Sequence, residues 1–393
     1  MSLGMLTLLR HAEVYAPDRL GIRDVLVAGE MVVGIAASID PPSGVPVAVV
    51  DVGGRRLIPG LVDPHVHVTG GGGEAGAATK VPAVPLTRFT SAGITTVIGL
   101  LGTDDATRTT AELLARVRAL DDEGITAYAL TGGYHVPPVT LTGSVRGDIV
   151  HVDKILGVGE LAISDHRSSQ PTLDELLRIA SDAHVAGLMT GKAGIVHLHV
   201  GDGSRGLELV RRALDGCELP ARVFNPTHVN RRRALFDEAL TLAERGCAVD
   251  VTAFPVAEGE DAWSAADAIE RYMAEGFPES RLTVSSDGGG CLPKFDDTGR
   301  VVHMDVGDGA SLRGAIASLI TRGHLLERVL PAFTSNAADL WRLSRKGRIR
   351  TGGDADLVIL DGSFEIVDVM ARGRWHVRAG GTVVKGTFEE ERT

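Results

Sequence analysis

Apolar residues alternate with turn signals at both ends of the chain and recur at helical spacing in its middle. Over residues 6–57, LTLLRHAEVY, DVLVAGEMVVGIAAS and VAVVDVGGRRL set Val, Ile and Leu between Gly, Pro and Asp, the pattern of short strands. The segments ADLVILDG, EIVDVMARGRWHVRAGG and TVVKGTF repeat that texture at the other end. Chain ends often lie close together, so the two ends predict one discontinuous β domain. Between them, eight short apolar runs end in polar residues: LIPGLVDPHVH, TTVIGLLG, TAYALTGGY, LAISDHR, GIVHLHVG, RVFNPTHV, AVDVTAF and LTVSSDG. TRTTAELLARVRALDDEG, TLDELLRIASDAHVAG and RRALFDEALTLAERG place apolar residues three and four apart, with Gly at or near the end, which predicts amphipathic helices. Eightfold strand–helix alternation predicts an α/β chain with a (β/α)8 TIM barrel. The expected division is a small β-sandwich domain from residues 1–57 and 341–393, and a barrel over 58–340. The alternative, an open doubly wound sheet, would need a Gly-rich phosphate turn. No GK[ST] is present.

The 393 residues provide ample chain for such a core, with 44% apolar and 23% charged residues. Gly is abundant, at 49 residues, and aromatics are scarce at 4%, which suits many tight βα turns better than a base-stacking surface. Lys and Arg number 40 against 51 Asp and Glu, a net charge of −11, and the longest basic run is Arg231-Arg232-Arg233. A nucleic-acid partner is not expected. Cys217, Cys247 and Cys291 are an odd, widely spaced set, so a reducing, cytoplasmic setting is the expectation. The opening MSLGMLTLLRHAEVY lacks the apolar run of a signal peptide, and no stretch approaches the roughly 20 apolar residues of a membrane span.

Polar residues concentrate at the ends of the predicted strands. His65 and His67 end the first, Tyr134 the third, His199 the fifth, His228 the sixth and Asp287 the eighth, while Asp165, His166 and Arg167 follow the fourth. The C-terminal strand ends form the active-site face of a (β/α)8 barrel, so these residues would converge there. Period two puts the imidazoles of His65-Val66-His67 on one side, where both can reach one ion. An isolated HxH is more often a pair of histidines satisfied by core hydrogen bonds; the later strand-end His and Asp residues favour ligation. In His197-Leu198-His199, His199 lies nearer the strand end and is the expected ligand, leaving His197 deeper, where it can orient a neighbour. Four His and one Asp suit zinc, whose bound water can be brought near neutral pKa for hydrolysis without a protein nucleophile. No GxSxG elbow competes.

In this order, GLVDPHVHVTGGGGEAG, TGGYHVP, AISDHRS, PTHVNR and SSDG resemble the amidohydrolase superfamily and, more narrowly, its isoaspartyl dipeptidases; the similarity runs through the terminal GTFEE. The resemblance implies a metal-bearing barrel with a small β domain, a cytoplasmic homo-oligomeric metalloprotease, and two zinc ions per chain. It assigns His65, His67 and Asp287 to the more buried metal and His199 and His228 to the second. A metal-bound hydroxide would attack a β-aspartyl amide, with Asp287 carrying the proton and Tyr134 polarising the carbonyl. Glu74 would bind the substrate ammonium and Arg167 and Arg231 its carboxylates, with Thr103 and Cys291 also lining the substrate.

Two positions depart from the family pattern. Where it carries a carboxylated Lys bridging both metals, this chain has Glu160, whose carboxyl carbon reaches roughly 4 Å less far. Glu160 is still the expected bridge, needing no carbon dioxide for assembly; Lys154, six residues earlier, is the weaker candidate. Cys291 stands where the family has Ser, and a thiol is a weaker hydrogen-bond partner. These departures motivate an alternative substrate, an N-acyl amino acid or cyclic amide. A further alternative is a metal-free assembly protein on a retired barrel.

Overall fold

The computed structural model describes residues 6–389 except 296, 297 and 299; the opening Met1–Met5 and the last residue of GTFEE lie outside the described residues. The chain begins with β1 (Leu6–Tyr15), β2 (Arg19–Ala28), β3 (Met31–Ala36), β4 (Val47–Asp51) and β5 (Arg56–Pro59). Next come β6 (Leu61–Val66), β7 (Ile94–Gly99), β8 (Thr126–Thr131), β9 (Ile155–Ile163), β10 (Val196–Val200), β11 (Phe224–Thr227), β12 (Val249–Thr252) and β13 (Leu282–Ser285). A hairpin, β14 (Cys291–Phe295) and β15 (Val301–Val306), precedes β16 (Leu357–Leu360), β17 (Ile366–Ala371), β18 (Arg374–Arg378) and β19 (Gly381–Thr382).

Among the described residues both ends of the chain build one nine-stranded sheet, in the order β19-β18-β17-β16-β5-β1-β2-β3 with β4 also on β1. Along a single edge β1 pairs first with β4, through Leu6–Arg10, and then with β5, through Glu13 and Val14, so the sheet forks there. Leu9, Val14, Val25, Val27, Leu57, Leu357 and Ile359 form its core.

In the middle of the chain β6 to β11 pair as one six-stranded sheet in sequence order, all parallel. Strands β12 and β13 form a parallel pair. β12 packs beside β11 and β13 beside β6, where Val66 bridges Gly288. Apart from half-buried Tyr128 in β8, these strands are buried throughout, as parallel strands covered on both faces must be. Helices α1 (Leu86–Thr90), α2 (Thr110–Glu123), α3 (Val145–His151), α4 (Leu173–Thr190), α5 (Glu208–Gly216), α6 (Arg233–Glu244), α7 (Ala265–Ala274) and α8 (Ala310–Thr321) connect or follow them.

Local chemistry explains the ends of these helices. Thr109 and Ser144 accept from backbone N–H groups at the starts of α2 and α3, and Thr172 with Glu175 closes a capping box on α4. α4 runs past Gly187, where the sequence pattern suggested an end, and stops at the left-handed Gly191. Gly187 serves packing instead: a Cβ there would stand 2.8 Å from the Gly194 Cα. β6 is followed by a long loop and only the five-residue α1, so no full helix covers that unit.

Lys346 fastens the end of the middle segment to the terminal sheet. Its buried ammonium donates to Asp354 and Asp356, each at 2.7 Å, and to Thr126 Oγ1 at 2.5 Å. Lys346→Met would leave Asp356 without its buried cation and Asp354 with Arg345 alone, and should lower the unfolding free energy by about 3 kcal/mol or more. Urea denaturation checks this; a loss under about 1 kcal/mol would mean the pair is screened like a surface ion pair.

Candidate active site

The parallel strands present their C-terminal ends to a cleft of about 400 Å³. It is lined by His67, Glu160, His199, His228 and Asp287 at its floor and by Glu74, Thr103, Tyr134, Arg167, Arg231 and Cys291 around them. His65 lies beneath, fully buried in β6. All twelve singled-out side chains therefore come together, from loops and strands over 200 residues apart in sequence. His228 directly follows β11 and Asp287 lies two residues past β13, both in left-handed backbone, φ 59° and 51°. Such backbone is uncommon for residues with a Cβ and recurs at functional sites.

Glu160 occupies the centre. Its Oε1 lies 2.8 Å from His199 Nδ1, 2.9 Å from His228 Nε2 and 3.6 Å from His65 Nε2; its Oε2 lies 3.7 Å from His67 Nε2. A bulge in β9 explains how the short side chain gets there. Val158 faces Val196 and Leu161 faces Leu198, so Gly159 and Glu160 together oppose the single residue His197. Such a bulge re-aims a side chain. Gly159 permits it: φ is 148°, and a Cβ would sit 2.5 Å from the His197 carbonyl oxygen. Lys154 is elsewhere, its ammonium 2.7 Å from Asp121 and above the Tyr128 ring.

The donor set fits a divalent cation. Asp287 Oδ1 stands 3.4 Å from His65 Nε2 and 3.2 Å from His67 Nε2. Donors about 2.05 Å from a tetrahedral ion stand about 3.3 Å apart, which matches. His65 Nε2, Glu160 Oε2 and Asp287 Oδ1 are buried polar atoms without a hydrogen-bond partner, an arrangement that is costly unless something else satisfies them. Three overlapping groups can each hold an ion: His65, His67 and Glu160; His65, His228 and Asp287; and Glu160, His199 and His228.

Charge states follow from burial and neighbours. Burial penalises the Glu160 carboxylate, but His65 and His199 outweigh that and hold it well below its ordinary value. Asp287 is likewise held down, against burial, by His65 and His67. Burial pushes His228 down to about 4 and, together with His65, pushes His197 to about 3, so both imidazoles are neutral. Burial and the Glu160 charge raise Tyr134 well above its usual range. Its phenol, 2.8 Å from His199 Nδ1, stays a proton donor. Burial and Glu74 push the Cys291 thiol up to about 11, so it too remains protonated.

The polar rim is internally paired. Arg167 donates from Nε to Asp165 Oδ1 at 3.0 Å and from Nη2 to Oδ2 at 2.8 Å, while its Nη1 meets Glu74 Oε1 at 3.1 Å. Arg231 donates to the Val200 carbonyl at 3.0 Å and pairs with Asp202 at 3.1 Å. Arg108 reaches from beside α2 to the carbonyls of Thr69, Gly71 and Val81, pinning the loop that carries Glu74. Asp165 is a residue that sequence reasoning left without a role. It holds both Arg167 and His199 Nε2, the latter at 2.9 Å, and its place two residues before Arg167 in SDHRS was the available signal.

Comparisons with known proteins agree with this geometry. The profile of the amidohydrolase family matches residues 56–376. The β-aspartyl dipeptidase of the thermophilic keratin-degrading Fervidobacterium islandicum AW-1, solved in complex with the β-Asp-Leu dipeptide, is 41% identical over 98% of this chain and all of its own, with TM-score 0.91. A second structure of that enzyme is 40% identical over 96% of this chain and 98% of its own, with TM-score 0.89. Dihydroorotase from Staphylococcus aureus strain Mu50 is 36% identical over 67 residues, 17% of this chain and only 15% of its own length.

If Glu160 is shared by the cation-binding groups, zinc at a hundredfold excess over its dissociation constant should stabilise the protein by about 2.7 kcal/mol, and Glu160→Gln should lose most of that gain. Thermal melts with and without zinc check this. Equal gains in both proteins would remove Glu160 from the ion's surroundings.

Proposed function

The chain belongs to the amidohydrolase family, and we propose that within it the protein is a zinc-dependent hydrolase of β-aspartyl (isoaspartyl) dipeptides. The observation that carries this reading is the rim around the buried donors: Glu74, Thr103, Tyr134, Arg167, Arg231 and Cys291 line one cleft with the candidate metal ligands. The dipeptide seen with the Fervidobacterium relative has the matching chemistry, an α-ammonium and two carboxylates around a β-amide.

We assign His65, His67, Asp287 and Glu160 to one zinc and His199, His228 and Glu160 to a second, with Glu160 as the bridge. The distances among their donor atoms and the three overlapping donor groups support this. Bound zinc supplies a Lewis acid for the amide carbonyl and lowers the pKa of a coordinated water. The protein's own groups do the rest. Asp287, kept ionised, accepts the proton of the attacking water and passes it to the departing amine nitrogen. Tyr134, kept protonated, donates to the carbonyl oxygen as negative charge develops. Arg167 and Arg231 grip substrate carboxylates, and Glu74 takes the α-ammonium. Arg167 and Glu74 are paired with each other at 3.1 Å, so substrate binding exchanges one ion pair for two and keeps both side chains preset.

The same reading closes the eight parallel strands into a (β/α)8 barrel over residues 58–340, with Val66–Gly288 at the seam. Residues 1–57 and 341–393 make the small β-sandwich domain, which the fork along β1 supports. Three unpaired cysteines fit a cytoplasmic setting.

Zinc-loaded protein should release leucine from β-Asp-Leu and not from α-Asp-Leu. Glu74→Gln should lower kcat/KM by about 10- to 100-fold, the cost of a charge-assisted contact. Absence of leucine release from the β-linked peptide contradicts the reading. Full activity of Glu74→Gln would favour a substrate lacking an ammonium, such as an N-acyl amino acid or cyclic amide.

A further inference from the structure

Behind His65 runs a chain of three fully buried side chains whose hydrogen bonds permit one direction only. The Asn225 Nδ2 amide donates to the Ala248 carbonyl at 3.0 Å. A carbonyl can only accept, so that end of the amide is its NH2 and the other end is its oxygen. Asn225 Oδ1 lies 2.7 Å from His197 Nδ1, which must therefore carry the proton. A neutral imidazole has one N–H, so His197 Nε2 is an acceptor. It lies 2.8 Å from His65 Nδ1, which must donate. With Nδ1 donating, the lone pair that His65 can offer a cation is left on Nε2, the atom facing Glu160 and Asp287.

We infer that Asn225, acting through His197, is a positioning residue that sets the tautomer of His65 and aims its Nε2 lone pair at a divalent cation. The inference rests on His65 being a zinc ligand, as proposed above. Ligating histidines commonly give their second N–H to a carboxylate, carbonyl or water. Here the acceptor is a second histidine, which is ambivalent and would accept or donate according to its own tautomer. Only the Asn225 amide removes that ambiguity, and Asn225 in turn is oriented by the Ala248 backbone. Packing fixes the rings as well. The indole of buried Trp341 meets His197 edge-on at 5.9 Å, and the β9 bulge leaves no room beside the His197 backbone even for a Cβ at Gly159. His197 is thus too deep to ligate, yet it controls a residue that does.

The test is zinc affinity, measured by competition with a chromophoric chelator on metal-free protein shown to be folded by circular dichroism. Asn225→Leu removes the acceptor for His197, and His197→Leu removes the acceptor for His65. Each should weaken the tighter zinc by about 10- to 100-fold. His197→Gln places an amide oxygen near the former Nε2 position, and should retain most of the wild-type affinity; a merely structural role would not produce that rescue. Wild-type affinity in folded His197→Leu or Asn225→Leu overturns the inference alone. So does equal weakening in His197→Gln and His197→Leu. Should either Leu variant fail to fold, nitrogen-15 NMR of metal-free wild-type protein decides: a proton on His65 Nδ1 supports the chain, and a neutral ring protonated on Nε2 overturns it. A wild-type protein that binds no zinc would overturn the metal assignment and this inference together.

Discussion

Glu160 is a carboxylate with no access to water, and moving such a group from solvent to a protein interior costs several kcal/mol per ion unless positive charge and hydrogen bonds compensate. Much of the cleft floor is arranged around that requirement. Two imidazoles meet Oε1 at hydrogen-bond distance and two more stand at the spacing of shared metal ligands. Asp287 adds a second anion to the same floor, which increases the need for cations there. The same cluster that is costly by itself is suited to hold divalent ions, and an ion that binds these assembled donors but not the unfolded chain would stabilise the fold.

The rim obeys a related constraint. Arg167 is buried beside Asp165 and Glu74, so its charge is compensated twice before any ligand arrives. A guanidinium already forked against Asp165 loses little freedom on gripping another carboxylate. Arg108, at the start of the second unit, ties down the loop that carries Glu74. Binding groups on long loops are in this way held by residues that never face the cleft.

Much of the site was legible because chemistry sits at strand ends, and strand ends can be found from apolar runs. His65, His67, His199, His228 and Asp287 needed only that rule. The reach of Glu160 was not legible. Read along a regular strand it falls about 4 Å short of a carboxylated lysine, yet the bulge opposite His197 carries it to the centre, and a bulge is a property of pairing between two strands rather than of either sequence. The Arg167–Glu74 pair was hidden for a similar reason, since 93 residues separate its members. His197 could be placed below the candidate ligands by its position in HLH, but its partner Asn225, in the apolar run VFNPT, carried no signal of a role. The alternation of strands and helices was plain from periodicity, whereas Gly187 misled, because close packing and helix termination both call for Gly.

The central claim is that a genetically encoded carboxylate, Glu160, joins two zinc ions at the floor of the cleft. The most direct measurement is reconstitution of metal-free protein with zinc in bicarbonate-free buffer, following bound zinc and hydrolysis of β-Asp-Leu together. Two equivalents per chain with full activity is the predicted result. A requirement for bicarbonate, or full activity with a single equivalent, would contradict it.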